Sequence, residues 1–91
     1  MDRPYATLEV TAEDRLAASR YAAVIEWSAL DGVYVTTMPD IPNLHTHGAT
    51  REAAATAADE VTALWLAGAR ETDVSVPPPR FSALPPAERP R

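Results

Sequence analysis

The chain has 91 residues and a formal net charge of −5, from thirteen acidic and eight basic side chains. This length suits one small domain that buries about 60–65% of its unfolded surface, and the acidic balance argues against a general binder of nucleic-acid phosphates. The absence of cysteine excludes a disulfide framework, a thiolate nucleophile and a cysteine-ligated zinc site.

The N-terminal part of the chain predicts a short helix and no membrane segment. No apolar run reaches the length of a secretory signal core or of a membrane span, so we expect a soluble cytoplasmic protein. Thr11 is followed three residues later by Asp14, a spacing that is typical of a capped helix start. We therefore predict a helix over about residues 11–19, within an N-terminal extension of residues 1–19.

Two strands and a tight turn follow this helix. Residues 21–27 alternate between two faces with a period of two, which indicates a strand. Asp31-Gly32 is a strong turn dipeptide, and residues 33–38 are rich in β-branched side chains, so the sequence predicts an antiparallel hairpin. A short third strand over residues 44–48 is expected to return along the edge of this hairpin.

The segment between the second and third strands is rich in turn-forming residues. Pro39 and Pro42 fix φ near −65°, and Asn43 is one of the few residue types besides glycine that tolerate a left-handed conformation. Gly48 frees the backbone shortly before Thr50, whose side chain is suited to cap the helix that follows.

A long, alanine-rich helix is predicted from about residue 51 to residue 67. The side chains expected to pack on the sheet lie on or beside one stripe: Ala54, Ala57, Ala58, Val61, Thr62, Leu64 and Trp65. Those expected to face away from it are Glu52, Thr56, Asp59, Glu60 and Ala63. Leu66 falls near the edge of this outer face, so we expect it to be exposed.

The end of the chain predicts one more strand and a tail. Gly68 is a candidate helix stop, and residues 71–76 are expected to add a last strand before three consecutive prolines prevent further pairing. Residues 81–91 are predicted to be a flexible, proline-rich tail. The predicted fold is α+β: a small antiparallel sheet in β-β-β-α-β order, one long helix packed across it, and a short N-terminal helix.

Two sets of polar residues are candidates for chemistry. His45 and His47 lie two residues apart, so on a strand both imidazoles leave the same face, as in a metal pair; the alternative is two surface histidines or a polar contact with a partner. The acidic candidates for a metal-dependent nuclease are Glu26, Asp31, Asp40 and Asp59. Their predicted positions are scattered, so we expect no catalytic residue, no metal site and no cofactor.

The order of these features resembles the HicB antitoxin family. The likeness covers about residues 20–80 and rests on the hairpin with its Asp-Gly turn, the loop Pro39-Asp40-Ile41-Pro42, the Gly48-Ala49-Thr50 turn and the alanine-rich helix. Where the family usually has glycine this chain has Asn43, and where cysteine is common it has Leu44. The resemblance implies a truncated, partial RNase H-like fold in a HicB-like domain spanning residues 20–80.

For function, the resemblance implies a non-enzymatic module that neutralises a HicA-type, mRNA-cleaving toxin. The toxin is expected to be basic, which suits an acidic partner. Family members commonly carry a C-terminal DNA-binding segment that residues 77–91 are too short and proline-rich to form, so direct DNA binding is not expected. One alternative is a stand-alone, homo-oligomeric HicB-like protein with a structural or ligand-binding role, and another, more remote, is an RNase H-like metal-dependent nuclease.

The partner-binding surface is predicted at the loop between the second and third strands and the strand edge beside it. A loop stiffened by two prolines loses little entropy when a partner docks. The residues proposed for this surface are Tyr34, Asp40, Asn43, Leu44, His45, His47 and Leu66. The alternative is that the prolines only end the second strand and aim the helix. Because the sheet has unpaired edges, we also expect a homodimer or homotetramer.

Overall fold

A three-stranded antiparallel sheet and two helices make up the fold. The structure is a computed structural model and describes residues 9–79. The elements in chain order are α1 (Ala12–Ala18), β1 (Val24–Ser28), β2 (Val33–Thr37), β3 (His45–Gly48) and α2 (Arg51–Thr72). The strands lie in the order β1-β2-β3. The α+β class, the sheet and both helices are therefore as predicted, and the tail predicted over residues 81–91 lies outside the described residues.

Helix α1 begins with a complete capping box. The Thr11 hydroxyl accepts a hydrogen bond from the Asp14 backbone N–H at 3.1 Å, and the Asp14 carboxylate accepts one from the Thr11 N–H at 2.9 Å. Two N–H groups that have no partner within the helix are satisfied in this way. The capped start predicted from the spacing of these two residues is confirmed.

The hairpin closes through a turn of four residues. Ser28 pairs with Val33 at its end, and the N–H of Gly32 donates to the carbonyl of Ser28 at 2.7 Å. Gly32 has a φ of 67°, a left-handed conformation that glycine adopts without a steric cost. The first strand starts at Val24 rather than at Tyr21, because the chain bends there after leaving α1.

The loop between β2 and β3 is folded on itself. Met38 donates its N–H to the carbonyl of Leu44 at 3.1 Å, while Ile41 donates to Met38 and Leu44 to Ile41. Asn43 takes the left-handed conformation, with a φ of 64°. These bonds reverse the chain and bring β3 back antiparallel to β2, with Thr46 opposite Thr36. The third strand and the left-handed asparagine are confirmed.

Helix α2 is longer than its sequence predicts. It begins after Thr50, whose hydroxyl accepts the Ala53 N–H at 3.0 Å, and it continues for 22 residues to Thr72. The left-handed cap is Asp73, with a φ of 58°, so Gly68 as the helix stop was wrong. The strand predicted over residues 71–76 is also wrong, since its first two residues are helical and the rest form no strand. One glycine costs a helix only about 1 kcal/mol, and packing against α1 offsets that cost.

Helix α1 packs on the side of α2 that was expected to face solvent. Ala63 and Leu66 are 1% and 8% exposed and pack with Ala18. The predictions that these two residues of α2 lie outside were therefore wrong, because the contact with α1 is not visible in the period of α2 alone. Leu64 was expected beside the buried stripe and is instead 48% exposed.

The core consists of two small clusters that share neighbours. One cluster lies between the two helices. The other lies between the β2–β3 loop and α2 and contains Met38, Ile41 and Ala58. Tyr21 and Trp65 are half-buried and pack against both clusters. Most other buried apolar residues are alanines, so the described part of the chain hides few large side chains. Within that part, neither helix is long and apolar enough to cross a membrane.

Candidate functional site

The two faces of the sheet have different surroundings. The hydroxyl of Thr36 in β2 donates to the carbonyl of Ala54 in α2 at 3.2 Å, and Thr36 is completely buried. Tyr34 leaves the same face of β2, because side chains alternate along a strand. The residues between and beside them, Val33, Val35 and Thr37, therefore leave the opposite face.

This opposite face is uncovered in the described part of the chain. Cross-strand partners share a face, so the register gives its members: Val24, Glu26, Ser28, Val33, Val35, Thr37, His45 and His47. We call these eight residues the open face. Glu26 and both histidines are exposed, and Val33 and Val35 are half-buried. Helix α2 packs on the other side of the sheet and α1 packs on α2, so residues 9–79 place no helix over the open face.

The helix-covered side of the sheet ends in an aromatic pair, of which Trp27 is exposed and Tyr34 is half-buried. Trp27 and Tyr34 contact each other edge to face, with ring centroids 5.1 Å apart, and the guanidinium of Arg51 lies 5.3 Å from the centre of the Tyr34 ring. Trp27 is 56% exposed, and Leu30 in the adjoining turn is 94% exposed. We call Trp27, Leu30 and Tyr34 the aromatic end of the sheet.

A close approach of α2 to β3 positions this aromatic end. Gly48 stands opposite Tyr34 in the register, and a Cβ atom at Gly48 would lie 2.4 Å from the backbone nitrogen of Ala54. The absence of a side chain therefore lets the first turn of α2 sit directly on β3. Because α2 starts beside Tyr34, it leaves Trp27 on the outer strand largely in solvent.

The loop proposed as the partner-binding surface is turned inward. Met38, Asp40 and Ile41 are between 1% and 3% exposed, so Asp40 is not accessible to a partner, as its place in the predicted binding surface requires. Its carboxylate lies near the half-buried hydroxyl of Tyr21, whose pKa is raised above 10.0 by burial and by the charge of Asp40. The loop therefore packs against the core through Met38 and Ile41 and does not present Asp40 to solvent.

The residues predicted to bind a partner do not share one surface. Leu66 is buried against α1, and Leu44 is half-buried against the core cluster of the loop. Asn43 is exposed in the loop, His45 and His47 lie on the open face, and Tyr34 lies on the side covered by α2. Leu30 was not among the residues predicted to bind a partner. An apolar side chain directly before an Asp-Gly turn is the signal that could have found it, since few contacts are available to a turn residue.

The candidate residues for metal chemistry are spread over the molecule. Asp31 is held in the hairpin turn by Ser28, whose hydroxyl accepts the Asp31 N–H at 3.2 Å. Asp40 is buried in the loop, Asp59 is exposed on α2 and Glu26 lies on the open face. Among residues 9–79, no group of three or more histidine or acidic side chains is placed to hold a metal ion. The geometry therefore brings together only the two histidines.

Comparison with known proteins finds no match to a family model, to a curated protein or to a solved structure. The likeness to the HicB family rests on the residues and the order of elements given above.

Proposed function

We propose that the chain is a protein-binding module without enzymatic activity, a HicB-like antitoxin that neutralises a HicA-type toxin in the cytoplasm. The aromatic end of the sheet carries this proposal. A domain with so small a core has strong reason to bury a tryptophan, yet Trp27 is 56% exposed, and Leu30 in the turn that follows β1 is 94% exposed. Exposed aromatic and large aliphatic side chains are typical of protein interfaces.

The charge of the chain supports a basic partner. The thirteen acidic side chains against eight arginines produce a field that attracts a basic protein and repels nucleic acid. An RNA-cleaving toxin needs a basic surface to hold its substrate. An acidic module that covers this surface would compete directly with RNA. Inhibition by such competition needs no catalytic residue in the module itself.

Binding of the toxin is tested at Leu30, whose exposure leaves the fold indifferent to substitution. The partner used in this test is a small basic protein encoded by the reading frame next to that of this chain. Leu30→Lys places a positive charge in the aromatic end, and we expect it to weaken binding at least tenfold, or about 1.4 kcal/mol. Binding is measured by calorimetry, and neutralisation by growth during co-expression of the toxin.

The matched control is Leu16→Lys. Leu16 is 57% exposed on α1. Its replacement by lysine makes the same change of charge and the same loss of an exposed leucine as Leu30→Lys, but outside the aromatic end. Binding that is unchanged by Leu30→Lys, or weakened equally by both substitutions, would refute the aromatic end as the interface. A neighbouring frame without such a protein would refute the antitoxin role.

A second candidate function is a stand-alone, homo-oligomeric HicB-like protein with no toxin. The open face favours it, because an uncovered sheet face with valines at its centre is suited to contact another protein surface. The two functions are compatible, since the open face and the aromatic end lie on opposite sides of the sheet. A protein that assembles but binds no basic partner would support this second function instead.

A further inference from the structure

The open face carries an acidic side chain on one outer strand and two imidazoles on the other. Glu26 in β1, Val35 in β2 and His47 in β3 stand in one cross-strand row. Neighbouring strands lie about 4.8 Å apart, so the backbones of Glu26 and His47 are about 10 Å apart, with Val35 between them. The next row of this face has Val24, Thr37 and His45. The chain therefore places its acid on one side of an apolar centre and its basic groups on the other.

We infer that the open face binds the open face of a second copy of this chain, with Glu26 of each copy paired to His47 of the other. The twofold axis runs between the stacked sheets and parallel to β2. Rotation about this axis places β1 of one copy over β3 of the other and leaves the position of each cross-strand row along the strands unchanged. The row that contains Val35 in one copy therefore faces the same row of the other copy. Two Glu26–His47 pairs then flank a contact between the two Val35 side chains.

The charge pattern selects this axis over the other in-plane choice. A twofold axis perpendicular to the strands would lay β1 over β1 and bring the two Glu26 carboxylates together, which is unfavourable. Stacked sheets cross at about −30° because each is twisted. On the outer strands, one strand away from the axis, that crossing displaces Glu26 of one copy from His47 of the other by about 2–3 Å along the strands. A change of the Glu26 rotamer compensates for this displacement.

The small size of the open face predicts a weak dimer. It offers eight side chains, whereas a stable interface uses about 20–30 residues on each side. Each copy also carries a net charge of −5, which adds repulsion at long range. We therefore expect dissociation constants in the micromolar range. The inference rests on the second candidate function, self-association through the open face, and specifies the partner as one further copy of the chain in one orientation.

The test uses two variants that each break the pairing and restore it when mixed. In homodimers of Glu26→Arg, each introduced arginine faces a histidine, and in homodimers of His47→Glu, each introduced glutamate faces Glu26. We expect each variant alone to dissociate at least tenfold more readily than the unaltered chain in sedimentation at neutral pH. In an equimolar mixture, the introduced arginine of one variant meets the introduced glutamate of the other, and the native Glu26 meets the native His47. The dimer should therefore return.

The matched control is Glu60→Arg, which makes the same change of charge on the exposed face of α2 and should leave the dimer intact. A chain that is monomeric up to millimolar concentration would overturn the inference, as would a mixture that fails to recover the dimer. So would an equal loss of the dimer in Glu60→Arg, which would mean that net charge alone controls association. Thermal unfolding verifies that all three variants fold.

Discussion

Asp40 carries a buried carboxylate in the loop between β2 and β3. It lies between two prolines, and the turn that they shape brings its side chain to 3% exposure beside Ile41 at 1%. A buried charge is tolerated only when it is compensated by partners, and its field acts on the hydroxyl of Tyr21. The same hydroxyl donates a 2.5 Å hydrogen bond to the carbonyl of Pro77, so the loop, Tyr21 and the segment after α2 meet at one place.

Asp40→Arg is therefore expected to destabilise the fold. The substitution puts a larger side chain of opposite charge into a filled, buried position, and we expect a loss of about 3 kcal/mol or more in the free energy of unfolding. Asp40→Asn keeps the volume and should cost less. His45→Glu, at an exposed position on the open face, should change stability by less than about 0.5 kcal/mol. Chemical denaturation measures all three, and an Asp40→Arg variant as stable as the unaltered chain would place this side chain in solvent.

Two glycines, Gly48 before helix α2 and Gly68 within it, have opposite effects on the stability of the helix. Gly48 precedes the helix, where a Cβ atom would meet the Ala53 and Ala54 backbone at 2.4–2.8 Å. Gly68 lies within the helix, and a Cβ atom there would meet nothing within 4 Å. The first glycine is required by a close approach, whereas the second is only a weak point in the helix.

Alanine substitutions separate these two roles. Gly68→Ala should raise the free energy of unfolding by about 0.5–1 kcal/mol, because alanine loses less backbone entropy in a helix. Gly48→Ala should lower it by about 1–3 kcal/mol, because the helix must move away from β3. Thermal and denaturant unfolding report both changes. A loss of stability in Gly68→Ala would indicate that the helix ends at this glycine, as the sequence alone predicts.

The elements that the sequence predicted well are those set by neighbouring residues. The caps at Thr11 and Thr50, the left-handed Asn43 and the hairpin each depend on a few adjacent side chains, so local rules suffice. The end of α2 and the burial of Leu66 depend instead on α1, which approaches from a distant part of the sequence. The hydrophobic period of α2 indicates one apolar stripe. The second contact surface, against α1, is formed largely by alanines and is not visible in that period.

Contacts between distant elements also explain why the residues predicted from the sequence to bind a partner do not share one surface. His45 and His47 were correctly placed on one strand face, since alternation along a strand is a local rule. The inward fold of the loop, which removed Asp40 from this surface, depends on Tyr21 and Trp65 on other elements. The exposure of Trp27 likewise depends on where α2 begins relative to the sheet, which strand alternation does not predict.

At the scale of the whole molecule, one ion pair fastens the two helices together. Arg70 near the end of α2 donates to the carboxylate of Asp14 in α1 at 2.6 Å, and it also donates to the carbonyl of Glu9 at 3.2 Å. Asp14 is 7% exposed and serves at the same time in the capping box with Thr11. The contact spans 56 residues of sequence and holds α1 against the end of α2 that extends past Gly68.

This ion pair makes the stability of the molecule sensitive to acid. The hydrogen bond from Arg70, helped by those from Thr11, lowers the pKa of Asp14 below its ordinary value of 3.8, although burial opposes the shift. A carboxylate with a lowered pKa in the folded state stabilises the fold above its unfolded pKa, and the stabilisation is lost as the pH falls through the folded pKa. The contribution of Asp14 is therefore complete near neutrality, begins to fall as the pH drops below 3.8, and is lost as the pH passes through the lower pKa of the folded state.

Asp14→Asn tests this contribution while keeping an oxygen that can accept from the Thr11 N–H. At neutral pH the variant should melt at a lower temperature than the unaltered chain, because Arg70 loses its charged partner. The difference should shrink as the pH is lowered below 3.8 toward the lowered pKa of the folded state, where the native carboxylate becomes neutral as well. Asp59→Asn removes a carboxylate from the exposed face of α2 and should show no such convergence. A gap between Asp14→Asn and the unaltered chain that stays constant into acid would mean that the side chain acts through the helix cap alone, and that α1 is held on α2 by its apolar contacts.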